Sequence, residues 1–282
     1  MPAYDLRALD VDPKGLARAA ALLGTVLNPA LDCRYLTWLY AENPGGAAVG
    51  FNAFDGEMLA AHYAAIPIAG FLDGRLEKGL LSLNTATHAA HQGKGLFPRL
   101  AERTFARAAE AGFGFVIGVA NARSTRGFTE KLGFQLVAPL DVQIGIGGVE
   151  PNSGQGSYSY APYRTDEAIA WRLRRPGARY VAGKRHGEVQ DVLAQVSRWG
   201  LSTCLDRIPA HLAEALTPAR VLSPFRLTIG LDRSARRRGV LVSVPDRLKP
   251  SPLNLIFRDL SGTPRTLDAD HVRWTLFDFD AY

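Results

Sequence analysis

The order of strand and helix patterns in the first half of this 282-residue chain predicts an α/β fold on a mixed, largely antiparallel sheet. Three strand-like segments follow one another there, separated by Asp55-Gly56 and Asp73-Gly74. Such dipeptides form the tight turns that join antiparallel strands. Helical and strand-like patterns then alternate, as expected when helices are layered on a sheet. The second half predicts a further, C-terminal α/β domain.

Each element of the first half follows from its local pattern. Alternating or continuously apolar segments predict strands at residues 4–9, 47–54, 58–68, 78–87, 113–119 and 134–142. Apolar residues at helical spacing predict helices at residues 13–27, 96–111 and 124–132. Gly112 and Gly133 are expected to end the last two helices, because glycine readily adopts the left-handed conformation that follows a helix.

A Gly-, Ser-, Pro- and Tyr-rich segment interrupts these patterns and predicts a linker at residues 146–163. The chain is therefore predicted to divide into domains at residues 1–145 and 164–282. In the second domain, helices are expected at residues 166–173 and 187–199. Strands are expected at residues 180–183, 225–231, 239–244 and 271–277.

Composition excludes several protein classes. With 47% hydrophobic and 21% charged residues the chain is globular rather than disordered. It has no apolar run of membrane-span length, and its first ten residues lack the apolar core of a signal peptide. The two cysteines form no CxxC pair and no disulfide framework. We therefore expect a cytoplasmic protein without a membrane segment or a bound metal.

The net charge of +6 arises entirely in the second half, because residues 1–145 hold equal numbers of basic and acidic side chains. Two clusters dominate the excess. They are Arg172, Arg174, Arg175, Arg179, Lys184 and Arg185, and then Arg233, Arg236, Arg237 and Arg238. A solvated basic face, an acidic acceptor, a cofactor phosphate and nucleic acid all remain open as explanations.

The most informative segment is the junction between the predicted strand at 78–87 and the predicted helix at 96–111. A strand that enters a helix through a glycine loop exposes backbone N–H groups at the positive end of the helix dipole, which suits a phosphate. Gly93 and Gly95 allow close approach, and Pro98 fits the first helical turn. The segment lacks both the P-loop pattern and the third glycine of a dinucleotide fingerprint. Taken alone, it is equally consistent with a purely structural turn.

The residues around this junction carry a family resemblance. Gln92-Gly-Lys-Gly95 resembles the pyrophosphate loop of the GNAT N-acetyltransferase superfamily, with Phe97 replacing the usual small residue. Residues 118–134 resemble that superfamily's strand, Asn-containing segment, helix and closing Leu-Gly-Phe. Residues 35–45 resemble a bacterial GNAT branch with a C-terminal extension. The weaker resemblance of residues 164–282 suggests a degenerate second GNAT-like domain.

The resemblance implies that residues 1–145 form an acyl-CoA-binding domain, with no metal. Two neighbouring parallel strands, at 78–87 and 113–119, would splay apart around the pantetheine arm of acetyl-CoA or another acyl-CoA. The backbone near Thr85 and Thr87 would hold this arm, with Asn121 and Ser124 on its other side. The pyrophosphate would meet the amides of Gln92, Gly93, Lys94, Gly95, Leu96 and Phe97. Lys94, Arg99, Arg123 and Arg126 would be candidates for the adenosine-end phosphates or simply exposed charges.

The reaction implied is transfer of an acetyl group to a primary amine of a small molecule by direct attack on the thioester. An acidic molecule is one of the acceptors left open. His88 is the candidate base because an imidazole titrates near neutrality, although a structural hydrogen bond is the alternative. Asn121 is a second candidate catalytic residue. The tyrosine that usually acts as the acid is replaced by Thr129. A role for the terminal carboxylate of Tyr282 is less favoured.

Other side chains and other functions stay open. His91 is expected to point at solvent, and His62 either lines the acceptor pocket or fills the core. Because Thr129 replaces the tyrosine, the alternative function is a CoA-binding regulatory protein without efficient turnover. A nucleic-acid-binding protein is the least favoured class, since the arginine clusters are short and carry no known motif. A homodimer is an open expectation.

Overall fold

The computed structural model describes residues 4–150, 158–195, 201–219, 224–249, 251–262 and 264–279. The chain divides into two compact units. The first unit consists of Met1–Ala69, Glu77–Leu136 and Ile256–Thr266. The second unit consists of Gly70–Leu76, Val137–Leu255 and Leu267–Tyr282. Neither unit is a single continuous stretch of sequence.

The predicted elements of residues 4–142 are confirmed, with small shifts at their ends. In chain order the structure has β1 (Asp5–Ala8), α1 (Pro13–Val26), α2 (Cys33–Leu36), β2 (Val49–Asp55), β3 (Met58–Leu72), β4 (Arg75–Thr87), α3 (Leu96–Glu110), β5 (Phe115–Ala120), α4 (Ala122–Lys131) and β6 (Gln135–Pro139). Helix α2 and the π-helical turn that follows it, Thr37–Ala41, were not predicted. The strand predicted at 134–142 is interrupted at Leu140, where β6 ends and a new strand begins.

The rest of the chain is mostly strand. It contains β7 (Asp141–Glu150), β8 (Tyr160–Tyr163), α5 (Asp166–Leu173), β9 (Tyr180–His186), β10 (Val189–Gln195), β11 (Ser202–Pro209), α6 (Ala210–Ala213), β12 (Thr217–Pro218), β13 (Phe225–Leu231), β14 (Arg236–Ser243), β15 (Asn254–Asp259) and β16 (Trp274–Thr275). The helix predicted at 166–173 and the strands predicted at 180–183, 225–231 and 239–244 are confirmed. The strand predicted at 271–277 is reduced to β16 with 3₁₀ turns around it.

The helix predicted at 187–199 is wrong. Its described part forms strand β10, which pairs antiparallel with β9 and β11. The pairing register between β10 and β11 shifts between Val192 and Leu193, and both side chains are buried. The extra residue of this irregularity is Leu205 on β11, so Val192 and Leu193 are simply consecutive buried residues, a short apolar run that periodicity alone does not assign to helix or strand. Residues 196–199 of this prediction lie outside the described part of the chain.

The predicted linker at 146–163 is also corrected, because both of its ends are strand. Residues 146–150 belong to β7, which pairs with β13 and β14. Residues 160–163 form β8. Residues 151–157, the middle of the predicted linker, are not among those that the structure describes.

The two sheets have similar strand orders, and each includes a strand from the other side of the predicted domain boundary. The first runs β1-β2-β3-β4-β5-β15-β6 and the second β12-β9-β10-β11-β13-β7-β14. Besides the parallel pair β12 and β9 in the second sheet, each sheet contains a parallel pair in its central part, β4 with β5 and β11 with β13. Next to that pair each holds a strand from the other half of the sequence, β15 and β7 respectively. Residues 256–266 therefore belong to the first unit, and 137–145 to the second, which differs from the predicted division at 145.

The core of the first unit is built on the central strands of its sheet. Leu80 of β4, Val116 of β5 and Ile256 of β15 belong to one buried apolar cluster. The same cluster contains Leu100 and Phe105 of α3, whose apolar side chains recur at helical spacing on its buried face. This packing fixes the direction of α3, and therefore fixes where the loop before it lies. Among the described residues, no helix is long and apolar enough to cross a membrane.

Candidate functional site

The parallel strands β4 and β5 stop pairing part of the way along their length. Their register runs from Gly79↔Phe115 to Ser82↔Gly118. Beyond that point β4 continues to Thr87 and β5 to Ala120. Asn84, in the part of β4 that no longer pairs with β5, has a φ of +49°, a left-handed conformation that bends the strand. The two strands therefore leave a gap with backbone groups available along β4, as the resemblance implied.

The end of β4 leads to a helix whose first turn has no side-chain cap. Helix α3 begins after Gly95, which has no side chain to accept a bond from the first N–H groups. The helices α1, α4 and α5 are capped by Asp12, Asn121 and Thr165 respectively. The first N–H groups of a helix have no partner within it, so those of α3 are left for another acceptor.

Two glycines keep the space in front of this helix open. Gly93 and Gly95 have φ values of +73° and +70°, which favour glycine. A Cβ built on either residue would meet no heavy atom within 4 Å. The loop thus combines uncovered backbone donors, the positive end of a helix dipole and free space. These are the properties of a phosphate-binding turn.

The other predicted loop residues, Gln92, Leu96 and Phe97, hold the turn in place through their side-chain contacts. The Gln92 side chain donates from Nε2 to the carbonyl oxygen of Thr87 at 3.2 Å, which ties the loop to the end of β4. The Phe97 ring packs against Phe128, with ring centroids 5.0 Å apart, and against Tyr63 at 6.1 Å. Leu96 is buried in the core of the first unit. Phe97 and Leu96 therefore offer the turn only their backbone amides.

Asn121 and Ser124 form the capping box of helix α4. The Asn121 Oδ1 accepts from the backbone N–H groups of Arg123 and Ser124, both at 3.0 Å. The Ser124 Oγ in turn accepts from the Asn121 N–H at 3.1 Å. Both side chains thus have a structural task at the start of α4, immediately after β5. In the same helix the Thr129 hydroxyl donates to the Thr125 carbonyl at 3.0 Å.

His88 lies half-buried where β4 ends, but one of its ring nitrogens is engaged. Its Nδ1 accepts from the backbone N–H of Ala90 at 3.3 Å, so a neutral ring carries its proton on Nε2. To act as a base from this arrangement, the ring has to release Ala90. The expectation that His91 points at solvent is wrong. Its side chain is buried, with Nδ1 2.8 Å from the hydroxyl of Tyr4, the residue before strand β1.

A buried polar chain, formed by Asn52, His62, Tyr40 and Asn84, was missed in the sequence. His62 Nδ1 lies 2.7 Å from Asn52 Oδ1, and His62 Nε2 lies 3.0 Å from the Tyr40 hydroxyl. That hydroxyl accepts from Asn84 Nδ2 at 3.0 Å. The chain therefore connects the core with the bent part of β4. Burial lowers the pKa of His62 to about 4 and raises the pKa of Tyr40 above its usual range.

We expect His62 to make the stability of the protein depend on pH. Its pKa falls from 6.5 in the unfolded chain to about 4 in the folded one. Between these values only the unfolded chain binds the proton, so folding stability decreases as the pH falls from 6.5 to 4. The loss reaches about 3 kcal/mol, at roughly 1.4 kcal/mol for each pH unit.

Urea unfolding of the wild type and of His62→Gln at pH 7, 5.5 and 4.5 measures this effect. The glutamine keeps a polar side chain in the chain of hydrogen bonds but does not titrate. The stability of the wild type should fall more steeply with acidification than that of the variant. Parallel stability curves for the two proteins would contradict the assignment.

Comparisons with known proteins agree with this geometry. Residues 46–137 match the model of the acetyltransferase (GNAT) domain. That range includes β4, the glycine turn, α3, β5 and α4. No curated protein sequence matches the chain.

Solved structures extend the likeness over most of the chain. A GCN5-related N-acetyltransferase from Kribbella flavida aligns with a TM-score of 0.61 and 11% identity, covering 92% of this chain and 72% of its own. One from Anabaena variabilis ATCC 29413 aligns with a TM-score of 0.59 and 13% identity, covering 91% and 73%. Eis1 from Mycobacterium abscessus aligns with a TM-score of 0.58 and 11% identity, covering 92% and 74%. At these identities the likeness establishes the fold. Residues 46–137 therefore match the acetyltransferase (GNAT) domain, and the chain has the fold of the GCN5-related N-acetyltransferases.

Proposed function

We propose that the protein is an acyl-CoA-dependent N-acyltransferase that moves an acetyl group from acetyl-CoA to a primary amine of a small molecule. One observation carries the proposal: strand β4, which forms one side of the gap, leads directly to the uncapped start of α3. An extended thiol arm fits against unpaired strand backbone, and a pyrophosphate fits a helix N-terminus. Coenzyme A contains both groups in that order.

In this proposal the backbone does most of the binding. The arm pairs with β4 near Thr85 and Thr87, beyond the last paired residue, Ser82. The pyrophosphate binds the amides of residues 92–97 in the open space at Gly93 and Gly95. Lys94, exposed between the two glycines, adds a positive charge beside that space.

The chemistry needs one nucleophile and a balanced movement of protons. The amine nitrogen attacks the thioester carbonyl, a C–N bond forms and the C–S bond breaks. The amine loses a proton to a base, and the leaving thiolate takes one up. His88 acts as the base if its Nδ1 exchanges the Ala90 N–H for the incoming proton. Asn121 uses its Oδ1 for the cap of α4, and its side-chain Nδ2 is the second candidate group in this proposal.

The alternative is a protein that binds coenzyme A without efficient turnover. Thr129 favours it, since the position of the usual acid holds an aliphatic hydroxyl that donates to the Thr125 carbonyl. Such a hydroxyl is a far weaker acid than a phenol. In this case the acyl-CoA serves as a regulatory ligand, and the binding turn at Gly93 and Gly95 remains in use.

Release of free thiol from acetyl-CoA across a panel of amines distinguishes the two functions. The panel should contain aminosugars, amino acids, polyamines and a lysine peptide, with His88→Gln assayed alongside the wild type. Sustained thiol release that depends on one amine class is the expected result. Binding of coenzyme A without amine-dependent release would support the regulatory alternative. Failure to bind coenzyme A would remove both.

The basic side chains of the second half give little information about the charge of the acceptor amine. Several of its arginines are already paired within the protein: Arg233 with Asp270 at 2.6 Å, and Arg238 with Glu150 at 2.6 Å. Arg172 is buried and donates to the Asp278 carbonyl. The clusters seen in the sequence are therefore partly neutralised. An acidic acceptor stays part of the proposal, with the amine panel as its test.

A further inference from the structure

Strand β4 contains a backbone conformation that is unusual inside a strand. Among the described residues, two that are not glycine have a positive φ, Asp73 at 48° and Asn84 at 49°. Asp73 lies in the tight turn between β3 and β4, where such values are common. Asn84 lies inside β4, two residues beyond Ser82, the last residue that pairs with β5. A residue stays in this costly conformation only when the contacts around it hold it there.

The side chains of Asn84 and Ser82 lie on opposite faces of the sheet. His62 and Tyr63 are consecutive residues of the neighbouring strand β3, so their side chains point to opposite faces. The Tyr63 hydroxyl lies 2.7 Å from Ser82 Oγ, which places Ser82 on the Tyr63 face. Asn84 instead donates to the Tyr40 hydroxyl, which lies 3.0 Å from His62 Nε2. Residues two apart in a regular strand share a face, so the alternation of β4 breaks between Ser82 and Asn84.

This break in alternation explains why β4 and β5 stop pairing where they do. In an extended conformation Asn84 would return to the Ser82 face, and β4 would continue alongside β5, which runs to Ala120. The two strands would then pair over that length, and the backbone groups of β4 would be bonded to β5. The left-handed conformation of Asn84 therefore leaves these groups free for a ligand.

A chain of hydrogen bonds with a fixed direction holds the Asn84 side chain. Its amide nitrogen can only donate, so the Tyr40 oxygen accepts from it, and the proton of Tyr40 goes to His62 Nε2. His62 then carries its own proton on Nδ1, 2.7 Å from Asn52 Oδ1, which can only accept. Each of the three bonds thus has one donor and one acceptor. Tyr40 and His62 are both 0% exposed, so water does not compete for these bonds.

The far end of this chain is anchored in the sheet, and Tyr40 reaches it from outside. Asn52 and His62 lie directly opposite each other in the pairing of β2 with β3. Tyr40 belongs to the π-helical turn Thr37–Ala41, a rare backbone form that is frequent at functional sites. Its ring stacks on the His62 ring, with centroids 5.8 Å apart. The position of the Tyr40 hydroxyl is therefore set by two strands whose register is fixed.

We propose that Tyr40 is a positioning residue for acyl-CoA, because its hydroxyl holds Asn84 on this face and so keeps β4 apart from β5 for the thiol arm. The inference rests on the proposed function and adds to it the contact that keeps the binding gap open. The pyrophosphate turn at Gly93 and Gly95 takes no part in this contact. The two halves of coenzyme A should therefore depend on Tyr40 to different extents.

Tyr40→Phe removes the hydroxyl and keeps the ring. It should weaken coenzyme A binding about tenfold, the size expected when one hydrogen bond is lost. Adenosine 3′-phosphate 5′-diphosphate contains the pyrophosphate of coenzyme A without the thiol arm, and its affinity should not change. Calorimetric titration of the full-length protein with each ligand measures the difference. A variant that had merely lost its fold would bind both ligands more weakly, and equal weakening would overturn the proposal.

Tyr63→Phe is the matched control. Tyr63 is also 0% exposed, and the substitution also removes one buried hydroxyl, but this hydroxyl contacts Ser82 on the other face. The ring that packs against Phe97 is kept. Coenzyme A affinity should stay as in the wild type. If Tyr63→Phe weakens the binding as much as Tyr40→Phe does, any lost buried bond has this effect and the proposal fails.

Asn84→Gly tests whether the hydroxyl acts through the bend of β4. Glycine takes a positive φ without a contact to hold it, so Tyr40→Phe should change coenzyme A affinity little in this background. A tenfold loss that persists there would overturn the proposal. If the wild type does not bind coenzyme A, the proposed function fails and this inference fails with it. If the wild type binds and Tyr40→Phe binds equally well, this inference alone is overturned.

Discussion

A shortened chain in which Leu140 is joined to Leu253 by a short glycine linker, ending at Thr266, is expected to fold and bind coenzyme A. Residues 1–145 alone are expected to do neither. The difference between the two chains is strand β15, which stands between β5 and β6 in the first sheet. Without it the sheet has a missing central strand, next to the strand pair that forms the proposed binding gap.

The energetic contribution of β15 is large compared with the stability of a domain. Ile256 and Phe257 are 1% and 0% exposed, and each such burial contributes about 1.5–3 kcal/mol. Phe257 stacks on Phe115 of β5 with ring centroids 6.0 Å apart. Arg258 binds Glu102 of α3 at 2.7 Å. Together these contacts approach the roughly 5–15 kcal/mol by which whole proteins are stable.

The proposed junction is short because the two ends already lie together. The Leu140 N–H donates to the Leu253 carbonyl at 2.7 Å, so a few glycines can replace residues 141–252. Thermal unfolding followed by circular dichroism, and calorimetric titration with coenzyme A, compare the two chains. Cooperative unfolding and coenzyme A binding by residues 1–145 alone would contradict the role given to β15. A joined chain that carries Phe257→Asp is the control for the strand itself, and should not fold.

The position of β15, a strand from the second half of the chain, within the first sheet could not be predicted from the sequence. Local patterns identified every strand and long helix of residues 4–142, because alternation, Asp-Gly turns and glycine caps act over a few residues. The position of β15 beside β5 depends on contacts between residues more than 100 positions apart, which no local pattern records. The same limit explains His91, which was expected in solvent. Its partner is Tyr4, which lies 87 residues earlier in the chain.

The candidate site was predictable where it is made of backbone and less so where it depends on side-chain contacts. The glycine turn follows from residue types, since Gly93 and Gly95 both adopt positive φ. The residue type of Asn84 does not predict its positive φ, because a non-glycine residue rarely takes this conformation. Its hydrogen bond to Tyr40 completes a polar chain that passes through four separate elements of the fold, β2, β3, β4 and the π-helical turn. A histidine in an alternating strand pattern does not reveal that it is fully buried.

A Gly95→Glu substitution is expected to weaken coenzyme A binding by at least about 100-fold while the protein stays folded. The glutamate carboxylate would lie in front of the uncapped N–H groups of α3 and repel the pyrophosphate that binds there. The fold should tolerate the change. A Cβ at this position meets no heavy atom within 4 Å, and the φ of +70° costs a non-glycine residue only about 1–2 kcal/mol. A negative charge at a helix N-terminus recovers part of that cost.

Gly112→Glu is the matched control, because it repeats the charge and the backbone cost at the opposite end of the same helix. Gly112 has a φ of +82°, and its Cβ also meets no heavy atom within 4 Å. Gly95→Ala adds the backbone cost without the charge, and should weaken binding far less than Gly95→Glu does. Calorimetric titration with coenzyme A gives the affinities, and urea unfolding confirms that each variant is folded. If Gly95→Glu and Gly112→Glu bind coenzyme A equally well, the pyrophosphate does not bind at the start of α3. In that case the gap between β4 and β5 needs a different ligand.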